Sequence, residues 1–301
     1  MKLNAEQVAS QLFDYLWNEY SERVSHASIY SRLVQQNGGK FVADHVVFRT
    51  LNTHTGEQPG GIEAISHLLS YFGYRFSEKY VCKDKMITAS GFDCPGNRLP
   101  RILVSQLEVN HLPGWVQHHI NNVVIETAYT LSDTGIELLN ILKTNGVLPF
   151  EAARFLLSDL RGYFCRPWEI PAQPVIEQIN EFSPYCVWVL LYGNSVSRFS
   201  ANINLQGVSG WANIDKTVEA LQAEGAPFQK HAIAGETKFV QAFAPPVKLK
   251  TEVLGDDGIE MPLFEYSKFG LTERGFIDKN EGKTLFDGFL LGEGTHFYEM
   301  V

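Results

Sequence analysis

Two side chains that can do chemistry, His45 and Arg49, belong to one short and otherwise apolar segment, residues 44–51 with the sequence DHVVFRTL. The β-branched and aromatic content of this segment predicts a strand. Alternation along a strand places His45 and Arg49 on one side and Val46 and Phe48 on the other. Buried ionisable groups need partners, so this pair indicates a metal-binding or proton-transfer histidine beside an anion-binding guanidinium. The alternative is an edge strand whose polar face lies in water.

A carboxylate that could join these groups is Glu265, which lies in the apolar and aromatic segment LFEYS, residues 263–267. A buried carboxylate needs a paired charge or a metal, whereas a glutamate at a strand edge simply faces solvent, and both interpretations stay open. Residues 199–205 also alternate, and Arg198 and Asn202 belong to the polar face of this segment. Such a face lines either solvent or a wet pocket. Two histidines and one carboxylate form the usual open site for iron, so one histidine is unaccounted for.

The elements that must position these residues follow from hydrophobic spacing. Three helices are predicted before residue 73, and the first begins with a capping box of Asn4 and Gln7. Helical patterns return at 112–164 and 214–225. Strands are predicted near 79–88, 100–107, 185–192, 199–205, 238–243, 247–253 and 262–268.

This order predicts an α+β fold in a single domain, 1–301, in which strand-rich parts at about 40–110 and 184–290 flank a helical segment at about 112–164. Each strand-rich part contains one amphipathic helix that ends at a glycine, Gly73 or Gly225. Duplicated β-α-β modules would show this arrangement.

Composition narrows the possible partners. The chain has 25 basic and 34 acidic residues, a net charge of -9, and this balance argues against nucleic acid as a partner. No stretch approaches the length of a membrane span, and the start of the chain has no apolar signal core, so we expect a cytoplasmic protein. Four cysteines without metal-binding spacing are expected to be buried thiols in a reducing compartment.

Motifs for nucleotide binding and for serine hydrolases are missing from the sequence: it has no G-x-G-x-x-G after a strand, no complete G-x-x-x-x-G-K-[ST] phosphate loop and no G-x-S-x-G elbow. The adjacent pair His118 and His119 points about 100° apart on a helix and is expected to be structural. His231 and His296 stand in loop-like contexts and carry no assignment.

The segment DHVVFRT at 44–50 resembles the D-H-(I/V)-A-F-R-T signature of the 2-oxoadipate dioxygenase/decarboxylases, a family long catalogued as a domain of unknown function and related to the vicinal-oxygen-chelate fold. The resemblance spans about residues 10–287, and the first motif is its most specific part. Further matches follow in family order at 16–17, 73–74, 83–86, 100–105, 187–190, 193, 264–266 and 274–276.

The resemblance implies a mixed β-sheet of the vicinal-oxygen-chelate or glyoxalase type, with a helical N-terminus and a helical insertion in the middle. It implies that His45 and Glu265 are ligands of Fe(II) or another divalent metal. Arg49 would be the catalytic residue that grips a carboxylate of the substrate, a small dicarboxylic 2-oxo acid. The implied activity is a non-haem Fe(II)-dependent dioxygenase and decarboxylase that converts 2-oxoadipate to 2-hydroxyglutarate.

One departure from the family pattern concerns the second histidine ligand, which the family carries in an N-H-F-T motif. This chain reads SRFS at 197–200, so Arg198 stands in that place, and a guanidinium has no lone pair for a metal. Asn202 or His231 would then have to supply the missing ligand. The alternative function is a metal-free relative that binds a dicarboxylate or another small anion through Arg49 and Arg198, with Asn202 beside them.

A third class, a structural or interaction protein on the same scaffold, also fits the sequence, because a fold does not fix a function. The stretch after Gly288 extends past the usual end of the family. It contains Glu293 and His296, to which the sequence assigns no role.

Overall fold

The structure is a computed structural model that describes residues 1–96, 99–231, 239–279 and 282–289. The first helix begins at the predicted capping box, in which the Asn4 side chain accepts from the Gln7 backbone N–H and the Gln7 side chain accepts from the Asn4 N–H. The helices in these ranges are α1 Ala5–Arg23, α2 Ser25–Gln36, α3 Gly61–Ser70, α4 Gly114–Val124, α5 Asp133–Asn145, α6 Phe150–Tyr163, α7 Gln173–Phe182, α8 Pro184–Tyr192 and α9 Ile214–Ala223. None of them is long and apolar enough to cross a membrane.

The strands of the described ranges are mostly short, and eight of them form one sheet. Their bounds are β1 Lys2–Asn4, β2 Ala43–Leu51, β3 Arg75–Cys82, β4 Ile87–Asp93, β5 Arg101–Leu107, β6 Val147–Pro149, β7 Val196–Asn202, β8 Gln229–His231, β9 Phe239–Phe243, β10 Val247–Lys250, β11 Val253–Gly255, β12 Gly258–Glu260, β13 Leu263–Ser267, β14 Gly270–Arg274, β15 Phe276–Lys279 and β16 Gly282–Leu285.

The main sheet is a curled half-barrel with the strand order β3-β4-β5-β2-β7-β14-β9-β8. It consists of two modules of the same β-α-β-β-β topology, the first from β2, α3, β3, β4 and β5, and the second from β7, α9, β8, β9 and β14. The modules meet where β2 pairs antiparallel with β7. The duplication suggested by the two glycine-ended helices is therefore present as an internal repeat of topology.

One face of this sheet packs on the N-terminal helices. Trp17 of α1 stacks on Phe41 and meets Phe199 of β7 edge-on, with ring centroids 3.5 and 5.3 Å apart. Val46 is opposite Phe199 in the β2–β7 pairing, and Phe48 meets Phe164, which follows α6, with ring centroids 5.2 Å apart. Both residues are buried on this face, and the opposite face is the interior of the half-barrel. His45 and Arg49 lie on that interior face.

Several predicted elements are confirmed, and others are wrong for identifiable reasons. The strand predicted at residues 44–51 is confirmed as β2, and the alternative of an edge strand is wrong, because β2 is a central strand with neighbours on both sides. Residues 185–192 form helix α8, not a strand: Ser183 caps the first turn, Pro184 begins it, and burial on all sides removes any visible periodicity. The predicted strand 79–88 is a hairpin that turns through Lys83–Lys85. The last residues of 199–205 leave the sheet in a 3₁₀ turn.

None of the four cysteines belongs to a disulfide in the part of the chain that the structure describes, and their predicted burial is only partly correct. Cys186 is buried on α8, whereas Cys165 is exposed after α6. Cys82 and Cys94 are half-buried.

Candidate functional site

A β-bulge in β2 builds the buried part of the site. Ala43 pairs with Ala201 of β7 and His45 with Ser200, so Asp44 is one extra residue on β2. A bulge of this kind turns the extra side chain away from its regular alternation. The Asp44 carboxylate therefore reaches the same side as the His45 ring, and Oδ1 lies 2.8 Å from Nδ1.

Asp44 is held by donors from both modules. Arg274 of β14 donates from Nε to Oδ2 at 2.7 Å and from Nη2 to Oδ1 at 2.8 Å, and Asn202 of β7 donates its amide to Oδ2 at 3.1 Å. Burial by itself raises the pKa of Asp44, but the charge and hydrogen bonds of Arg274 and His45 outweigh it and hold this pKa well below the ordinary value. Asp44 is therefore an ionised carboxylate inside the protein.

His45 is completely buried and keeps a defined tautomer. Because the ionised Asp44 can only accept, Nδ1 of His45 carries the proton and Nε2 carries the lone pair. Burial lowers the pKa of His45 despite the Asp44 hydrogen bond, and the positive charges of Arg274 and Arg198 lower it further. Nε2 has no hydrogen-bond partner among the described residues.

Arg198 faces the interior as well. It is opposite Val47 in the β2–β7 pairing, between the levels of His45 and Arg49, and its side chain is buried. Its guanidinium carbon lies 4.9 Å from the ring centre of Phe243 on β9. Arg198 and Arg274 thus both lie near His45, and Arg101 is opposite His45 in the pairing of β2 with β5.

The Arg49 side chain lines a cleft that is separate from the buried interior around His45. Arg49 is four positions after His45 on the strand, which is about 13 Å along the chain. Its guanidinium carbon lies 5.3 Å from the Tyr185 ring and 5.2 Å from the Trp188 ring, both on α8. Lys248 of β10 and Glu265 of β13 line the same cleft, which has a volume of about 450 Å³.

The candidate residues therefore divide between two places. His45, Arg198 and Asn202 lie in the buried interior, and Arg49 and Glu265 line the cleft. Glu265 is exposed and pairs with Lys248 in a two-stranded sheet outside the main one. The side chain of His231, together with Glu293 and His296, lies outside the described residues.

The described residues do not fit a three-ligand metal centre. No group of three or more His, Cys, Asp or Glu side chains in the described ranges could hold a metal ion. The carboxylate nearest to His45 along the chain is that of Asp44, and both of its oxygens already accept hydrogen bonds from Arg274. The positive charges of Arg198 and Arg274 also disfavour a cation at His45.

The sequence predicted no functional role for two residues of the buried network, Asp44 and Arg274. Asp44 should face away from His45 by simple alternation, and a bulge leaves no mark in the sequence. Arg274 is 230 residues away from Asp44. In the sequence, Arg274 was marked only by the motif match at 274–276, which is less specific than the match at 44–50.

The paired β-α-β-β-β modules and the site between them define the architecture as vicinal-oxygen-chelate-like, of the glyoxalase type. No family model matches the sequence, and no curated protein matches it.

Solved structures show the same fold at low sequence identity. A glyoxalase superfamily protein from Ralstonia eutropha JMP134 matches with a TM-score of 0.85 and 20% identity, over 97% of this chain and 88% of that chain. The hydroxyglutarate synthase of Oryza sativa in complex with 2-oxoadipate matches with a TM-score of 0.74 and 19% identity, over 98% and 92%. The Pseudomonas putida hydroxyglutarate synthase, also with 2-oxoadipate, matches with a TM-score of 0.70 and 13% identity, over 91% and 65%. These similarities support the family resemblance at the level of the fold.

Proposed function

We propose that this protein binds a small dicarboxylic 2-oxo acid in the cleft and that Arg49 is the main anchor for one carboxylate. The observation that carries the proposal is the position of Arg49, stacked against Tyr185 and Trp188 on the wall of a cleft of about 450 Å³. This volume is within the usual range for small-molecule sites.

The stacking suits recognition of a carboxylate. Aromatic rings contact the face of a guanidinium, while its N–H groups point outward in the plane and can form a bidentate fork with two carboxylate oxygens. Lys248 adds a second positive charge to the cleft wall. A ligand with two carboxylates can therefore meet one cation at each end. Two hydroxyglutarate synthases of the same fold were crystallised with 2-oxoadipate, and this supports the ligand class.

Calorimetric titration with 2-oxoadipate, adipate and a monocarboxylic 2-oxo acid tests the proposal. We expect 2-oxoadipate to bind best, and Arg49→Ala to weaken it by about 10- to 100-fold, because hydrogen bonds to charged groups contribute about 1.5–3 kcal/mol. Arg49→Lys keeps the charge but loses the fork, so we expect an intermediate affinity. Arg75→Ala, at an exposed position on the edge strand β3, is the matched control. Equal binding by wild type and Arg49→Ala would rule out the proposed anchor.

The Fe(II)-dependent dioxygenase and decarboxylase reaction implied by the resemblance is the second candidate function. One observation favours it: Nε2 of His45 carries a lone pair, is buried and has its ring oriented by a carboxylate, which is how metal-binding histidines are usually held. Because the described residues do not complete a ligand set, this candidate requires ligands from outside the described ranges.

Iron content separates the two candidates. Protein loaded anaerobically with Fe(II) should hold about one iron per chain, and His45→Ala should lose it, if the dioxygenase proposal is right. Far less than one iron per wild-type chain would exclude that reaction. This result would leave binding at Arg49 unaffected, since Arg49 lies in the other part of the site.

A further inference from the structure

The segment after β16 covers the buried histidine. Residues 286–289, here called the strap, end at Phe289, whose side chain is completely buried. The Phe289 ring meets the His45 imidazole edge to face, with centroids 5.3 Å apart and planes at 87°. The strap therefore forms the wall of the interior next to His45.

Hydrogen bonds from several elements hold the strap in place, beginning with the backbone N–H of Phe286, which donates to the carbonyl oxygen of Gly275 at 2.8 Å. Arg274 donates from Nη1 to the carbonyl oxygens of Phe286, at 3.1 Å, and Gly288, at 2.7 Å. The backbone N–H of Phe289 donates to Oε1 of Glu78 at 2.9 Å. Arg274 and Glu78 are thus the side chains that bind the backbone of the strap, and Asp287 of the strap interacts electrostatically with Arg101 and Asp93.

The sheet leaves room for the Phe289 ring at Gly91 of β4. A Cβ atom at this position would lie 3.3 Å from Cδ2 of Phe289 and 2.9 Å from Cγ of Glu78. Glu78 is also the residue that pairs with Gly91 across the β3–β4 ladder. The glycine therefore permits the close approach of both the ring and the glutamate that binds the strap.

Arg274 connects this cover to the buried ion pair. Its Nε and Nη2 bind Asp44, which orients His45, and its Nη1 binds the strap. One guanidinium therefore holds both the histidine network and the segment that hides it. An opening of the strap would break contacts at Nη1 without requiring the two bonds to Asp44 to break.

We propose that residues 286–289 are a closable strap, that Arg274 holds it shut, and that its local opening exposes Nε2 of His45 to molecules entering the half-barrel. This inference concerns access to His45 and does not depend on what binds at Arg49. A strap that packs as a permanent part of the core is the competing interpretation.

Chemical labelling of His45 with diethyl pyrocarbonate, followed by peptide mass spectrometry, measures this access. In the wild type we expect His45 to react much more slowly than the exposed His118. Phe289→Ala should speed the labelling of His45 by at least about tenfold, because a protected group reacts in proportion to the open population. Phe276→Ala, at an exposed position on β15, is the matched control and should leave the rate unchanged.

A second reagent separates local opening from unfolding. Cys186 is fully buried on α8, and iodoacetamide should not label it in Phe289→Ala if the rest of the fold stays closed. Arg274→Lys, with the same readouts, tests the fastening of the strap separately from its ring, and we expect it to expose His45 as well. The proposal would be overturned if His45 of the wild type were labelled at the same rate as His118. An unchanged rate in Phe289→Ala, or exposure of His45 only together with Cys186, would also overturn it.

Discussion

Asp44 and Arg274 form a bidentate ion pair that joins the two modules of the half-barrel. Asp44 belongs to β2 of the first module and Arg274 to β14 of the second, and both side chains are almost completely buried. The strand β7 lies between them in the sheet and contributes Asn202 to the same carboxylate. The pair therefore fixes the position of one module relative to the other at the level of His45.

Removal of either partner of this pair should destabilise the protein strongly. We expect Asp44→Asn and Arg274→Gln each to lower the free energy of unfolding by about 3–5 kcal/mol, because a single substitution leaves the other charge buried without its counter-ion. Urea denaturation measures this. The double variant should cost less than the sum of the two. Glu219→Gln, which breaks the exposed pair with Lys216, should change the stability by less than about 1 kcal/mol.

The lowered pKa of Asp44 should make the stability sensitive to acid. The carboxylate binds fewer protons in the folded state than in the unfolded chain, so its contribution is complete above its ordinary value near 3.8 and is lost as the pH falls towards the lower folded value. The charged and titratable groups that interact with it are Arg274 of β14, His45 of β2 and Arg101 of β5.

We therefore expect the stability difference between wild type and Asp44→Asn to stay constant from about pH 7 to 5 and to shrink below about pH 4. Urea unfolding of both proteins at several pH values measures it. A difference that does not change down to pH 3 would contradict a lowered pKa of Asp44 in the folded protein, because the loss begins at the ordinary pKa of the unfolded chain.

Reversal of charge in the cleft should weaken anion binding. Lys248→Glu removes a cation from the cleft wall and adds an anion, so we expect about a tenfold loss of affinity for 2-oxoadipate, which becomes smaller in high salt as exposed charges are screened. Lys83→Glu, in the exposed turn between β3 and β4, makes the same change in net charge away from the cleft lining. Equal losses in both variants would show that the effect comes from net charge alone.

The thiols should differ in their reactivity. Burial raises the pKa of Cys186 to about 12, so at pH 8 this residue is both inaccessible and protonated. We expect iodoacetamide to label the exposed Cys165 of the native protein and to reach Cys186 only after denaturation. Site-resolved mass spectrometry measures both. Labelling of Cys186 in the native protein would show that α8, which carries the aromatic residues beneath Arg49, opens readily.

Helices were easier to predict than the sheet. The capping box at Asn4 and the amphipathic stripe of α9 are local signals, since a helix forms its hydrogen bonds within a few residues. Helix α8 gives no such signal because every side of it is buried, and a continuous apolar run is compatible with either a strand or a buried helix.

The sequence by itself determined that residues 44–51 form a strand, that His45 and Arg49 share one face of it, and that the fold is α+β with two strand-rich parts. It could do so because alternation and spacing are properties of neighbouring residues. Only the tertiary structure decided that Glu265 lines the cleft with Arg49 and that Arg274 reaches Asp44. These contacts depend on a one-residue bulge and on strands that are distant in the chain, and neither the register nor long-range pairing is encoded in local spacing.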